Sequence, residues 1–397
     1  MSPLLPLLLK GDCLAYLARI PAESVDAIVT DPPYGLGFMG KAWDALPPGE
    51  DWARACLRVL KPGGHLLAFG GTRTWHRLAV AVEDAGFELR DSIAWLYGSG
   101  FPKSLDVSKA IDKAAGVEFS AAPASGVGFM NADGAGGYNV TANKLTREGE
   151  TTPEAVEWQG WGTALKPAFE PVVVARKPLA KGMTVAANVL AYGTGALNID
   201  AGRVAAGDAS YAANASGDRG HAGTHGAGRD TDLKPGGGSA HDAGRWPANV
   251  MLDESQAAAL DAQAPATGAA AKASGATRSG GYKSESMAGA FTGTEEAAPF
   301  YGDVGGASRF FYVAKAPKSE RPLDADGVGH PTVKPLALMR QLVRLVTPLG
   351  GCVVDPFAGS GTTLEAAYLE GFESIGIELT PDYWPLIEAR IARVLNG

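Results

Sequence analysis

The sequence predicts an α/β fold: a doubly wound, mostly parallel sheet covered by helices on both faces and split by a long irregular insertion. Three observations carry this. Residues 1–115 alternate short apolar runs with segments of helical period. The same alternation returns at residue 331. Between them, 202–245 and 262–308 are rich in glycine, alanine and serine, show no period and hold many of the chain's 53 glycines.

Taken in order, LLLKGD (7–12) reads as a strand closed by Gly11-Asp12, and CLAYLARIP (13–21) as a short helix. VDAIVTD (25–31) is the next strand. EDWARACLRVLKPGG (50–64) has helical spacing and stops at Pro62-Gly63-Gly64. HLLAFGG (65–71) is a strand, TWHRLAVAVEDAGF (74–87) a helix and ELRDSIAWLYG (88–98) a strand. Residues 116–160 lose the pattern, and PAFEPVVVARKPL (167–179) restores a strand. GRWPANVMLD (244–253) reads as a short ordered segment, and RFFYVAKAPKSER (309–321) as a strand with a basic exit. The last third gives an amphipathic helix at 335–348, then strand, glycine turn and helix at 351–371, then strand, acidic end and helix at 373–394.

The 397 residues, 46% hydrophobic, are enough for a sizeable core. A net charge of −8 argues against a protein that coats nucleic acid by bulk electrostatics, while leaving room for a local basic cleft. Cys13, Cys56 and Cys352 fit neither a disulfide framework nor a zinc site, which points to a reducing cytoplasm and no metal. The start, MSPLLPLLLKGD, is too short for a spanning helix and lacks a basic leader.

In VVDPFAGSGTTLEAA, Gly359 and Gly361 join a buried strand to a helix, so a ligand can approach backbone and helix amides. Alone, such a turn also serves phosphates, dinucleotides or no ligand. There is no Gly-Lys-Ser/Thr and no Gly-x-Gly-x-x-Gly. Asp355, at the strand end, repels phosphate and suits an amine, and Glu378 ends the next strand where an acid holds ribose hydroxyls. S-adenosylmethionine meets both demands.

The other strand end is Asp31-Pro32-Pro33-Tyr34. It can be a rigid turn with an ordinary packed tyrosine. It also suits a planar ligand bearing an exocyclic amine. The carboxylate of Asp31 and the carbonyl of Pro32 accept the two amine hydrogens, the nitrogen lone pair is freed to attack a methyl group, and Tyr34 stacks on the ring. A base inside a duplex must be flipped out to reach such a site.

With both elements in hand, the sequence resembles the amino-group DNA methyltransferases. Asp31 to Tyr34 matches the family's catalytic Asp/Asn/Ser-Pro-Pro-Tyr/Phe motif, and Phe357, Gly359 and Gly361 match its Phe-x-Gly-x-Gly cofactor motif. The catalytic motif precedes the cofactor motif, as in the circularly permuted β group. The resemblance implies a Rossmann-like, seven-stranded methyltransferase sheet, with S-adenosylmethionine as cofactor. It implies a catalytic domain split over 1–180 and 325–397, an additional loop at 116–160, and target recognition in the insertion at 181–324. It implies a cofactor set of Asp12, Cys13, Thr332, Lys334, Asp355, Phe357, Gly359, Ser360, Gly361, Thr362, Thr363, Glu378 and Leu379, with Thr332 and Lys334 at the methionine end. Double-stranded DNA is the implied partner, in a bacterial or phage setting; relatives are often homodimers, no membrane is involved, and no nuclease motif accompanies the chain. Asp31 resembles adenine-N6 enzymes more than cytosine-N4 ones, and no cysteine follows a proline, as attack on cytosine carbon requires. The alternatives are cytosine-N4, RNA, a protein amide, or a non-catalytic binding subunit.

Four further features have bland and sharp readings. His221 and His225 fit a solvated loop better than a metal site. Trp43, Trp95, Trp158 and Trp161 serve as core and loop anchors or as wedges against DNA. Arg176, Lys177, Lys181, Lys315, Lys318 and Arg321 are either solvated or phosphate contacts. The glycines of loop 35–45 permit closure over the site.

Overall fold

Residues 25–30 are buried along their whole length, as in a strand covered on both faces: four are apolar, and the two polar ones, Asp26 and Thr30, are paired with Lys61 and Asp355. They form the middle of the sheet in a computed structural model that describes residues 5–37, 47–98, 100, 104–122, 144–148, 150–204, 245–264, 306–314 and 333–396. Among these the chain runs β1 (Leu7–Lys10), α1 (Cys13–Leu17), β2 (Val25–Thr30), α2 (Glu50–Val59), β3 (Leu60–Phe69), α3 (Trp75–Asp84), β4 (Glu88–Leu96), α4 (Val107–Ala114), β5 (Glu118–Ala122), β6 (Lys144–Glu148), α5 (Pro153–Glu157), β7 (Phe169–Arg176), α6 (Val185–Tyr192), α7 (Ile199–Gly202), β8 (Val250–Asp253), α8 (Glu254–Gln263), β9 (Tyr312–Ala314), α9 (Leu336–Val346), β10 (Cys352–Asp355), α10 (Thr362–Leu369), β11 (Glu373–Glu378) and α11 (Trp384–Asn396).

The main sheet has the order β1-β11-β10-β2-β3-β7-β4-β8-β9. β7 is antiparallel to both its neighbours, and the other pairings are parallel. β1 to β4, β7, β10 and β11 correspond to seven runs read as strands in the sequence, β9 lies in RFFYVAKAPKSER, also read as a strand, and β8 lies in a segment read only as ordered. β8 comes from GRWPANVMLD and pairs with β4, and β9 pairs with β8, so described parts of the 181–324 insertion belong to the sheet. β5 and β6 pair antiparallel as a separate two-stranded sheet. β3 starts at Leu60, earlier than the sequence suggests, because the Pro62-Gly63-Gly64 stop lies within an irregular stretch of pairing with β2.

Period-two alternation sends each strand's side chains to two cores. Ile28, Leu66 and Ala68 face one side, where Leu17, Trp52, Cys56 and Leu78 of α1–α3 cover them. Ala27, Val29, Leu67 and Phe69 face the other, under Leu338, Met339, Leu342 and Val343 of α9 and Ala366 and Ala367 of α10. Asp12 caps α1 by accepting from Ala15 N at 2.9 Å. Among the described residues no helix is long and apolar enough to cross a membrane. Cys13, Cys56 and Cys352 are free thiols.

Several sequence features settle into structural roles. Trp95 is buried against Phe69 and Tyr97. Trp158 and Trp161 pack on each other at the surface. Arg176 is buried and paired with Glu88, and Lys177 is tied to Glu23 and the Leu60 carbonyl. Lys181 is exposed. Trp43, most of loop 35–45, His221, His225, Lys315, Lys318, Arg321 and Thr332 lie outside the described residues.

Candidate active site

Parallel strands deliver their C-terminal ends to one edge, so Asp31, the residue after β2, arrives there with Asp355 and Glu378, the last residues of β10 and β11. The β2–β10 pairing is closed by a side-chain bond: Thr30 Oγ1 donates to Asp355 Oδ1 at 2.6 Å. The turn after β10 follows. Phe357 N donates to Asp355 Oδ1 at 3.1 Å, and Gly359 N and Thr380 N donate to the two oxygens of Glu378 at 2.8 and 2.7 Å. Gly361 has φ of +77°, which turns the chain into α10 without a side-chain cap on its first amides.

A cleft of about 260 Å³ runs along this edge. It is lined by Asp31, Pro32, Pro33 and Tyr34 at one end and by Asp355, Phe357, Gly359, Ser360, Thr362 and Thr363 further along. Asp12, Cys13, Glu378 and Leu379 line it as well. Gly361, expected at the cofactor, does not line the cleft: a Cβ there would stand 3.0 Å from Ile387 Cγ2, so its place is behind the turn, against α11.

The charges in the cleft are lopsided. Among the described lining residues, Asp12, Asp31, Glu170, Asp355 and Glu378 oppose a single cation, Lys334. Such a wall disfavours phosphate and attracts cations. Burial pushes the Asp355 carboxyl up to about 6, with the Thr30, Thr363 and Phe357 donors working against it. Glu378 is likewise raised by burial, against the pull of its backbone donors. Burial also raises the Cys13 thiol, to about 11, so the thiol is neutral near pH 7.

Lys334, which the resemblance assigns to the methionine end of the cofactor, stands against the Asp-Pro-Pro-Tyr motif. Its Nζ lies 2.6 Å from Asp31 Oδ2, 3.2 Å from Glu170 Oε2 and 3.2 Å from the Tyr34 hydroxyl. Burial acts to lower its pKa, but the carboxylates of Asp31 and Glu170 outweigh burial and raise it. The Tyr34 hydroxyl lies 2.9 Å from both Asp31 Oδ1 and Glu170 Oε2, and burial followed by those two carboxylates raises its pKa.

Glu170 is the member that sequence reading missed. It is the second residue of β7, and because β7 runs antiparallel its N-terminal end lies beside the C-terminal end of the parallel strands. An acid interrupting the apolar run FEPVVVAR was the available signal, and strand direction was the missing fact.

Over residues 25–190 and 270–389 the chain matches the N6/N4 methyltransferase family, described as DNA methylase. It is 22% identical over 233 residues to the type II methyltransferase M.HindIII of Haemophilus influenzae, which covers 48% of this chain and 63% of that protein. It is 28% identical over 109 residues to the type II methyltransferase M.HinfI of Haemophilus influenzae, covering 22% of this chain and 30% of that protein. The chain therefore spans less than two thirds of the length of these curated relatives. Among solved structures, the cytosine-N4-specific PvuII DNA methyltransferase aligns over 100% of this chain and 94% of its own, with 14% identity and a TM-score of 0.43, too loose a likeness to carry more.

Proposed function

Because the chain belongs to the N6/N4 DNA methylase family, we propose that it transfers a methyl group from S-adenosylmethionine to the exocyclic amine of a flipped-out base in duplex DNA, and that the base is adenine. The observation that carries the reading is one cleft lined by both strand-end motifs, with five carboxylates around one ammonium. S-adenosylmethionine, cationic at both its sulfonium and its ammonium, fits that donor set. Glu378 would hold its ribose, Asp355 its ammonium, and Phe357 and Leu379 its flat base. When bound it supplies an electrophilic methyl carbon.

The chain's own residues do the rest. Asp31 and the Pro32 carbonyl accept the amine hydrogens and free the nitrogen lone pair, whose conjugation into the ring otherwise makes it a weak nucleophile. Both Asp31 oxygens already hold a protein donor, yet a carboxylate has about four lone-pair sites, so the amine can add to this set. Lys334 balances the two carboxylates and keeps Asp31 aimed. Tyr34 braces the base. The insertion at 181–324 reads the target sequence.

Asp31→Ala should abolish methyl transfer to duplex DNA while cofactor binding, measured by calorimetry, persists. A fully active variant would remove this reading. Adenine is favoured over cytosine by the acid at the first motif position. Mass spectrometry of nucleosides from the methylated DNA should give N6-methyladenine, and N4-methylcytosine would reverse that choice. Competition among duplex DNA, RNA and protein substrates should leave methyl incorporation in the DNA.

A further inference from the structure

The hydrogen bonds around Tyr34 are short of one proton. Five contacts of 3.2 Å or less join Lys334, Tyr34, Asp31 and Glu170: three from the ammonium, and two from the hydroxyl oxygen to Asp31 Oδ1 and Glu170 Oε2. The ammonium has three hydrogens and the hydroxyl one. With both carboxyls ionised, one contact lacks a hydrogen. The cluster thus has a seat for one additional proton, shared by two carboxyls through a tyrosine.

The reaction proposed above releases one proton. As the amine nitrogen bonds to the methyl carbon, the carbon–sulfur pair goes to sulfur, and the nitrogen is left with a positive charge and one hydrogen too many. Asp31 touches that hydrogen, but a proton resting there faces the Lys334 ammonium at 2.6 Å, closer than the 3.2 Å that separates the ammonium from Glu170. We propose that Glu170 is the final acceptor, reached through Asp31 and the Tyr34 hydroxyl. The amine gives its proton to Asp31, Asp31 passes one to the Tyr34 oxygen, and Tyr34 passes its own to Glu170. At the end the base is neutral, Asp31 is again a carboxylate, Tyr34 is unchanged and Glu170 is a carboxylic acid. Glu170 keeps 17% of its side chain accessible, which gives the proton a way to water. This inference rests on the reading of the cleft as a methyl-transfer site.

Glu170→Gln tests it, because the amide keeps the shape and cannot take the proton. Single-turnover transfer should slow about 100-fold near neutral pH, the lower range for loss of a general base. The deficit should shrink as pH rises, added formate should restore part of the rate, and affinities for S-adenosylmethionine and DNA should stay unchanged. Tyr34→Phe should show the same pH dependence, and the double variant should be no slower than the slower single variant, since both break one relay. Without cofactor or DNA, infrared spectra on acidification should show a carboxylic acid band that is absent from Glu170→Gln. A Glu170→Gln protein with the wild-type rate and pH profile overturns the proposal. So does a pH-independent loss accompanied by weaker cofactor or DNA binding, which would make Glu170 a structural prop. A wild-type protein that transfers no methyl group to DNA removes the functional reading and this inference together, whereas an active wild type beside an unimpaired variant removes the inference alone.

Discussion

At Asp355, burial opposes charge. The carboxyl is 2% exposed and its pKa rises from 3.8 to about 6. A raised acid binds protons more tightly in the folded state, so folding stability falls as pH climbs from about 4 to about 6. A rise of that size corresponds to about 3 kcal/mol. The ionised form is the one that attracts a cationic ligand. S-adenosylmethionine affinity should therefore weaken below about pH 6, and calorimetry across that range should find the dependence lost in Asp355→Asn. Thr30 Oγ1 lowers the same pKa through its 2.6 Å bond, so Thr30→Val should move the midpoint upward. An unmoved midpoint would show that another group controls it. Asp31, Asp355 and Glu378 were legible in the sequence because each ends an apolar strand on a carboxylate. Glu170 was not, because its partners stand 136 and 164 residues away and only the folded sheet brings them to it.

The glycine turn depends on α11 as an element. Arg390, 1% exposed, donates through Nε to the Ser360 carbonyl at 2.8 Å and pairs through its guanidinium with buried Glu365. Arg390→Met would strand much of the Glu365 charge. Arg393 also reaches that carboxylate at 2.6 Å, so the loss should sit at the lower end for a broken buried pair, about 3 kcal/mol by denaturant unfolding. Gly361→Ala adds about 1–2 kcal/mol of left-handed backbone strain to the close approach of Ile387, and cofactor affinity should fall with it. A Gly361→Ala protein with undiminished stability would show that the turn relaxes freely. The alternation of strands and helices was legible because periods of two and of about 3.6 are local properties. The reversed direction of β7 was not, since an antiparallel and a parallel strand need the same buried apolar run. β8 was visible only as an ordered segment, because four residues carry too little periodicity to announce a partner.

At the scale of the whole molecule, the sheet weaves the two ends of the sequence together. β10 and β11, residues 352–378, occupy the gap between β1 and β2. Both halves of the cleft, separated by more than 300 residues, become neighbours only when that gap is filled. A chain shortened to 1–335 should leave the facing edges of β1 and β2 unpaired. Its amides there should exchange rapidly with solvent, where those of the full chain are protected. Protection in the shortened chain would mean that the N-terminal strands close on their own. The same weave acts as a timing device during synthesis. The ribosome delivers β1 and β2 early and the strands between them more than 300 residues later, so until then the Asp31 end of the cleft lacks its Asp355 and Glu378 end. A premature stop yields open strand edges, suited to aggregation or proteolysis, in place of a half-built cleft.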